Sequence, residues 1–218
     1  MKRFASLVIL SLAAAPAAAQ DISLSQILVE GQGWHTDNNV VQELLRNRSG
    51  VVAANGFQYM IDDVGRQLVA LHKDGKRVQM AETKQLGLTR PSGMTLWPDG
   101  RTLVVGDAEG KHLWAFRIEK NGSLSCGEGY YTLRVGPGMT ASGVTALTVD
   151  CKGLLYACTP LGVQVFDPTG RLCGVLLKPD DKTPTAIAFG GLGRDTLYVL
   201  EGENSYGRNT QAKGVNKP

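Results

Sequence analysis

The sequence predicts an all-β chain folded as a β-propeller, with about four four-stranded blades visible. Three observations carry this reading. First, the stretch Thr89 to Gly122 reads as four short strands joined by tight turns. Met94 to Trp97 runs into Pro98-Asp99-Gly100, Thr102 to Val105 returns, Asp107 to Lys111 turns again, and His112 to Ile118 alternates apolar with polar before Asn121-Gly122. D-G and N-G pairs accept the positive φ that hairpin turns need. Second, outer turns at Asp74, Asn121 and Asp167 recur about every 46 residues, inside the window for propeller blades. Third, no segment of helical period separates the strands, which disfavours a parallel α/β sheet.

Taken in order, residues 1–20 read as a secretory signal peptide. Met1-Lys2-Arg3 is a cationic start, Phe4 to Ala14 is apolar but too short to span a bilayer, and Ala15-Pro16-Ala17-Ala18-Ala19 supplies an A-x-A cleavage pattern. Cleavage is expected near Ala19/Gln20, placing the mature chain in the periplasm or outside the cell. Residues 21–49 form an N-terminal arm, in which Ser23 to Val29 and Val40 to Leu45 read as short helices or as a packing arm around Trp34. The propeller domain is 50–218. Its first unit runs Val51 to Ala53, Phe57 to Ile61 and Gln67 to Leu71, with an outer turn at Lys73-Asp74-Gly75. The stretch from Thr89 is the second unit. The third is Ala146 to Val149, Leu154 to Cys158, Val163 to Phe166 and Leu172 to Leu177, and the fourth is Ala186 to Phe189 and Thr196 to Leu200, after which the pattern frays. Trp97, Trp114, Tyr156, Phe166 and Phe189 fall at apolar-alternating positions, as expected of the hydrophobic layers between blades.

Composition narrows the function classes. The 218 residues are 43% hydrophobic and 20% charged with a net charge of +3, and the basic residues are scattered among acids. No basic stripe points to nucleic acid. Cys126, Cys151, Cys158 and Cys173 allow three pairings if the chain is exported, and free buried thiols are the alternative. There is no C-x-x-C, no G-x-S-x-G elbow and no H-E-x-x-H, and His35, His72 and His112 share no motif.

Several runs together resemble the senescence-marker-protein/gluconolactonase family of regucalcin-like lactonases. Arg90-Pro91-Ser92-Gly93-Met94 to Asp107, with Lys111 to Phe116, is similar to that family's R-P-N-G, P-D-G-x-x-L-Y-V-x-D and K-hydrophobic-W/Y-A-F run. Ser142 to Asp150 resembles S-G-A-D-G-M-T-V-D, Leu161 to Gly170 resembles L-G-V-Q-V-F-D-P-x-G, and Pro184 to Leu200 resembles the P-T-N and A-F-G-G run. The similarity extends from Gly50 to about Val215 and falls on the C-terminal blades of the family's six-bladed ring. The resemblance implies a divalent metal, Ca²⁺ or Zn²⁺, at the top of the central channel, where it polarises the carbonyl of a sugar lactone. Its ligands would be oxygens from a Glu of E-G-P, the Asn of P-N-G and the Asp of D-G-M.

Carried over by position, those ligands are substituted. The Asn falls on Ser92 and the Asp on Thr145. Both registers open to the first unit put Arg48 where Glu or Asn would stand. Two neutral hydroxyls and a cation are a poor donor set for a hard divalent ion, so no cofactor is expected unless a Ca²⁺ or Zn²⁺ site has been rebuilt. Arg48 at the channel mouth would instead clamp a carboxylate or phosphate, unless it is simply a solvated loop residue. Asp62, Asp107 and Asp150 lie at strand ends and would hold a displaced cation as a set, or cap turns singly. The expected function is an exported, gluconolactonase-like, non-catalytic module for a small anionic or sugar-like ligand or a partner. The alternative is a metal-dependent lactone hydrolase. Closure of the ring is left open, with a homo-oligomer or partner chain completing the propeller as one solution.

Overall fold

The computed structural model describes residues 23–47, 50–62, 67–79 and 86–215. The signal-peptide expectation and Arg48 therefore lie outside the described residues.

In the N-terminal arm, a 3₁₀ turn at Leu24–Gln26 leads to strand β1 (His35–Thr36), a second 3₁₀ turn at Asn38–Val40, and helix α1 (Val41–Asn47). Four antiparallel four-stranded sheets follow. The first blade is β2 (Val51–Val52), β3 (Phe57–Ile61), β4 (Leu68–His72) and β5 (Arg77–Gln79). The second is β6 (Pro91–Leu96), β7 (Thr102–Asp107), β8 (His112–Ile118) and β9 (Leu124–Thr132). The third is β10 (Ala146–Val149), β11 (Leu155–Thr159), β12 (Gly162–Phe166) and β13 (Leu172–Leu176). The fourth is β14 (Ala186–Gly190), β15 (Thr196–Glu201) and β16 (Asn204–Asn209), with β1 as its outermost strand: His35 lies opposite Gly207 and Thr36 opposite Tyr206.

Two details differ from the sequence reading. Thr89 to Gly122 holds three strands, and the fourth, β9, begins only after the Asn121-Gly122 turn. β9 is an edge strand with most of its residues exposed, so it carries no apolar alternation to read. The last blade does not fray but gains β16 and then β1 from the arm. Four outer and inner turns share one device: Asp74, Asp99, Asn121 and Asp167 each accept the backbone N–H two residues on, at 3.0, 2.8, 3.0 and 2.9 Å. That closed Asx turn is why Asp or Asn recurs there.

Period-two alternation lets inner strands bury both faces. Leu103 and Val105 pack with Tyr59, Phe57 and Leu68 of the first blade, while Val104 between them packs with Leu155, Ala157 and Phe166 of the third. Tyr156, Val163 and Val165 in turn meet Ile187, Phe189, Leu197 and Val199 of the fourth. Trp97 and Trp114 flank these layers half-buried, and Tyr156, Phe166 and Phe189 lie within them.

The outer face of the fourth blade takes a different cover. Ala186, Ala188, Tyr198 and Leu200 pack under Leu44 of α1, which is buried, with Val40 and Val41 beside it. A helix thus occupies the place of another sheet there, and burying one such leucine is worth about 1.5–3 kcal/mol. The arm is further tied by Trp34, whose indole N–H donates to the Leu177 carbonyl at 2.8 Å, and by Arg208, stacked 5.9 Å from the Trp34 ring centre. No helix among the described residues is long and apolar enough to cross a membrane.

Candidate functional site

The innermost strands β2, β6, β10 and β14 surround a channel with two mouths. The upper cavity, about 480 Å³, is lined by Asp62, Arg90, Ser92, Thr145, Ala186 and, from α1, Leu44 among others. The lower one, about 470 Å³, opens at the other ends of the same strands. Met94, Leu147 and Ile187 line both and form an apolar waist between them.

Ser92 and Thr145 both stand at the upper mouth, each on the strand nearest the axis of its blade or just before it. Their hydroxyl protons are committed. Ser92 Oγ donates to the Val144 carbonyl at 2.5 Å, and Thr145 Oγ1 donates to the Pro184 carbonyl at 2.5 Å. Each bond ties one blade to the entry of the next. The backbones are also close here: Gly93 has φ +65°, and a Cβ at that position would lie 2.8 Å from the Ala146 Cα. Glycine at 93 lets β6 approach β10 and accommodates the irregularity between Ser92 and Met94.

The three carboxylates are not brought together. Asp62 lines the upper cavity. Asp107, buried at the end of β7, accepts the N–H groups of Thr89 at 3.0 Å and Arg90 at 2.8 Å, fixing the entry to β6. Asp150 sits at the lower end of β10, fully buried, and accepts from Lys152 N at 2.8 Å, Leu154 N at 2.9 Å and the Tyr156 hydroxyl at 3.4 Å. Burial raises the Asp150 pKa against the lowering effect of those donors. Among the described residues no group of three or more His, Cys, Asp or Glu converges as a metal site. Arg90, with its side chain about half exposed, faces Glu109 at 3.8 Å.

Two buried polar residues gave no sequence signal. Gln164 reads as the polar member of an alternating strand, yet it is fully buried. Its amide pairs with the Arg134 backbone, accepting from N and donating to O, both at 2.8 Å, so it fixes the long crossing between the second and third blades. Glu201, 1% exposed at the end of β15, accepts the Asp180 N–H at 3.1 Å through Oε2, while Oε1 is buried without a partner. Burial pushes its carboxyl up from 4.5 to about 7. The four cysteines are unbridged: Cys158 is buried, Cys126 and Cys151 are exposed, and Cys173 is intermediate.

Comparison with known proteins places this architecture. A family model described as the SMP-30/Gluconolactonase/LRE-like region matches residues 21–202. A gluconolactonase of Zymomonas mobilis is 26% identical over 125 residues, which are 55% of this chain and 35% of that protein. The structure of a gluconolactonase from Xanthomonas campestris superposes with a TM-score of 0.59 at 22% identity, covering 74% of this chain and 56% of that one. That of a calcium-binding protein, regucalcin, from Agrobacterium tumefaciens gives 0.64 at 16% identity, over 78% and 62%. At these identities the two structures show the fold alone. The chain spans about a third of the length of the curated relative it matches.

Proposed function

This chain belongs to the SMP-30/Gluconolactonase/LRE-like family, and from that premise we propose an exported propeller that binds a small anionic or sugar-like ligand at its upper channel mouth without family-type metal catalysis. The observation that carries this reading is the pair of hydroxyl bonds. Where the family resemblance implies charged or amide oxygens, Ser92 and Thr145 offer neutral oxygens whose protons point at the Val144 and Pro184 carbonyls. Hard divalent cations bind by the charge of their oxygen ligands, and the third position is Arg48 in the sequence. The residues present do not fit the metal, and no step is derived through one. What the mouth does offer is the half-exposed Arg90 guanidinium, a donor for a carboxylate, beside the Ser92 and Thr145 oxygens, whose lone pairs can accept from a polyol.

A second reading, metal-dependent lactone hydrolysis, rests on family membership and on the gluconolactonase among the relatives. One experiment separates the two. The mature protein is melted in chelator, then with millimolar Ca²⁺, micromolar Zn²⁺ or gluconate. A ligand at about 100 times its dissociation constant adds roughly 2.7 kcal/mol, a shift of several degrees. The proposed function expects a shift with gluconate and none with either ion. A clear metal shift accompanied by hydrolysis of gluconolactone would overturn it in favour of the lactonase.

A further inference from the structure

The lower mouth has a different chemistry from the upper. Its wall is largely apolar, with Leu96 at the end of β6, Trp97 just after it, Val149 of β10, Phe189 of β14 and Val215, and with Thr95 and Thr148 as its hydroxyl-bearing members. Two charged residues line it, Asp99 and Arg194. The Asp99 carboxylate is already engaged by Arg101 N at 2.8 Å and by the N–H and hydroxyl of Thr102, both at 3.1 Å. Arg194 is not. Its Nε is buried without a hydrogen-bond partner, and among the described residues no carboxylate lies within ion-pair distance of it.

The backbone at Arg194 is also unusual. Its φ is +53°, in the left-handed region where a long side chain is strained and glycine is not. Arg194 N donates to the Gly191 carbonyl at 3.1 Å and Gly214 N donates to the Arg194 carbonyl at 2.8 Å, so the conformation is held from both sides. An arginine therefore stands at a turn position that local sterics assign to glycine, at the wall of a largely apolar cavity and with no counter-charge among the described residues. An observed backbone outlier at a cavity wall is the kind of strain found at ligand clamps.

We propose that the lower mouth binds an amphipathic carboxylate, its apolar body against Trp97, Phe189 and Val215 and its carboxylate on Arg194. A cavity of about 470 Å³ is in the range of small-molecule sites. The planar guanidinium pairs bidentately with a carboxylate, and the mostly apolar wall suits a hydrocarbon body. The waist of Met94, Leu147 and Ile187 separates this site from Ser92 and Thr145, so it stands whether or not the upper-mouth reading does.

Calorimetric titration of the full chain with decanoate, and with neutral decanamide as control, tests it. Decanoate is expected to bind about tenfold or more tightly than decanamide, since the charged pair is lost in the amide. Arg194→Gly should abolish that preference while melting at or above the wild-type temperature, because it removes the guanidinium and relieves the backbone. Arg194→Lys should keep part of the preference. Tryptophan emission should change on binding, and that change should vanish in Trp97→Phe. Equal affinity for decanoate and decanamide, unchanged decanoate binding by Arg194→Gly, or no decanoate binding at millimolar concentration would each overturn the proposal.

Discussion

Glu201 makes the stability of this protein depend on pH in a direction opposite to that of a salt-bridged carboxylate. Its side chain is buried at the end of β15 with one oxygen unpartnered, and its pKa rises from 4.5 in the open chain to about 7 in the fold. Below about pH 4.5 both folded and unfolded forms carry the proton and the term is fully present. Between 4.5 and 7 the folded state alone keeps it, so stability falls as pH rises, and above about 7 the loss is complete. A displacement of that size corresponds to about 3 kcal/mol. For a chain of this length that is about 6–12 °C in melting temperature, less if water enters beside the Asp180 loop. The perturbation is Glu201→Gln, which is neutral at every pH. Thermal melts of both proteins at pH 5 and pH 8 should show the wild type losing several degrees more than the variant on going to pH 8. Asp150, whose pKa burial also raises, acts in both proteins and cancels in the comparison. Equal pH dependence in the two proteins would refute the burial argument for Glu201.

Other substitutions probe the remaining contacts. Leu44→Ala strips the cover from the fourth blade and should cost about 2–5 kcal/mol in chemical denaturation, with a small effect expected if α1 does not seal that face. Gln164→Leu orphans the N–H and C=O of Arg134 and should cost about 2–4 kcal/mol, read from the same denaturation midpoints. Thr145→Asp sets a carboxylate against the Pro184 carbonyl and should cost about 1–3 kcal/mol in chelator; recovery of that loss by Ca²⁺ would show that one charged ligand is enough to rebuild a metal site.

Legibility in the sequence followed packing. β7 and β11 are buried on both sides by neighbouring blades, so their apolar residues stand out, and the Asx turns that join hairpins carry a local residue signal. β9, β16 and β1 are outer strands: the first two are largely polar or exposed, and the last is two residues long. None leaves a period to find. At the upper mouth, alignment with family motifs singled out Ser92 and Thr145, and both line one cavity. That their protons go to Val144 and Pro184 is a relation between blades, which no local pattern contains. Asp107 and Asp150 looked like strand-end carboxylates and are so, yet they lie at opposite ends of their blades, each turned to backbone N–H groups. Gln164 and Glu201 are polar letters in a strand pattern until the loops above them are placed.

The pairing of β1 with β16 has a consequence for the order in which the molecule can form. The two strands sit near opposite ends of the chain, held by Asp37 N to the Ser205 carbonyl at 2.9 Å, Ser205 N to Asn38 Oδ1 at 3.0 Å, and Gln211 N to the Ile27 carbonyl at 2.7 Å. Blades one to three are built from neighbours in sequence and need nothing from the termini. The fourth cannot complete its sheet until β16 has been made, and the earlier-made arm, α1 included, waits for it. Contacts of such long sequence separation are slow to form because the loop they close holds all of the first three blades. Refolding is therefore expected in two phases, a rapid one for the local meanders and a slower one in which β1 finds β16, with the arm protected from hydrogen exchange only in the second.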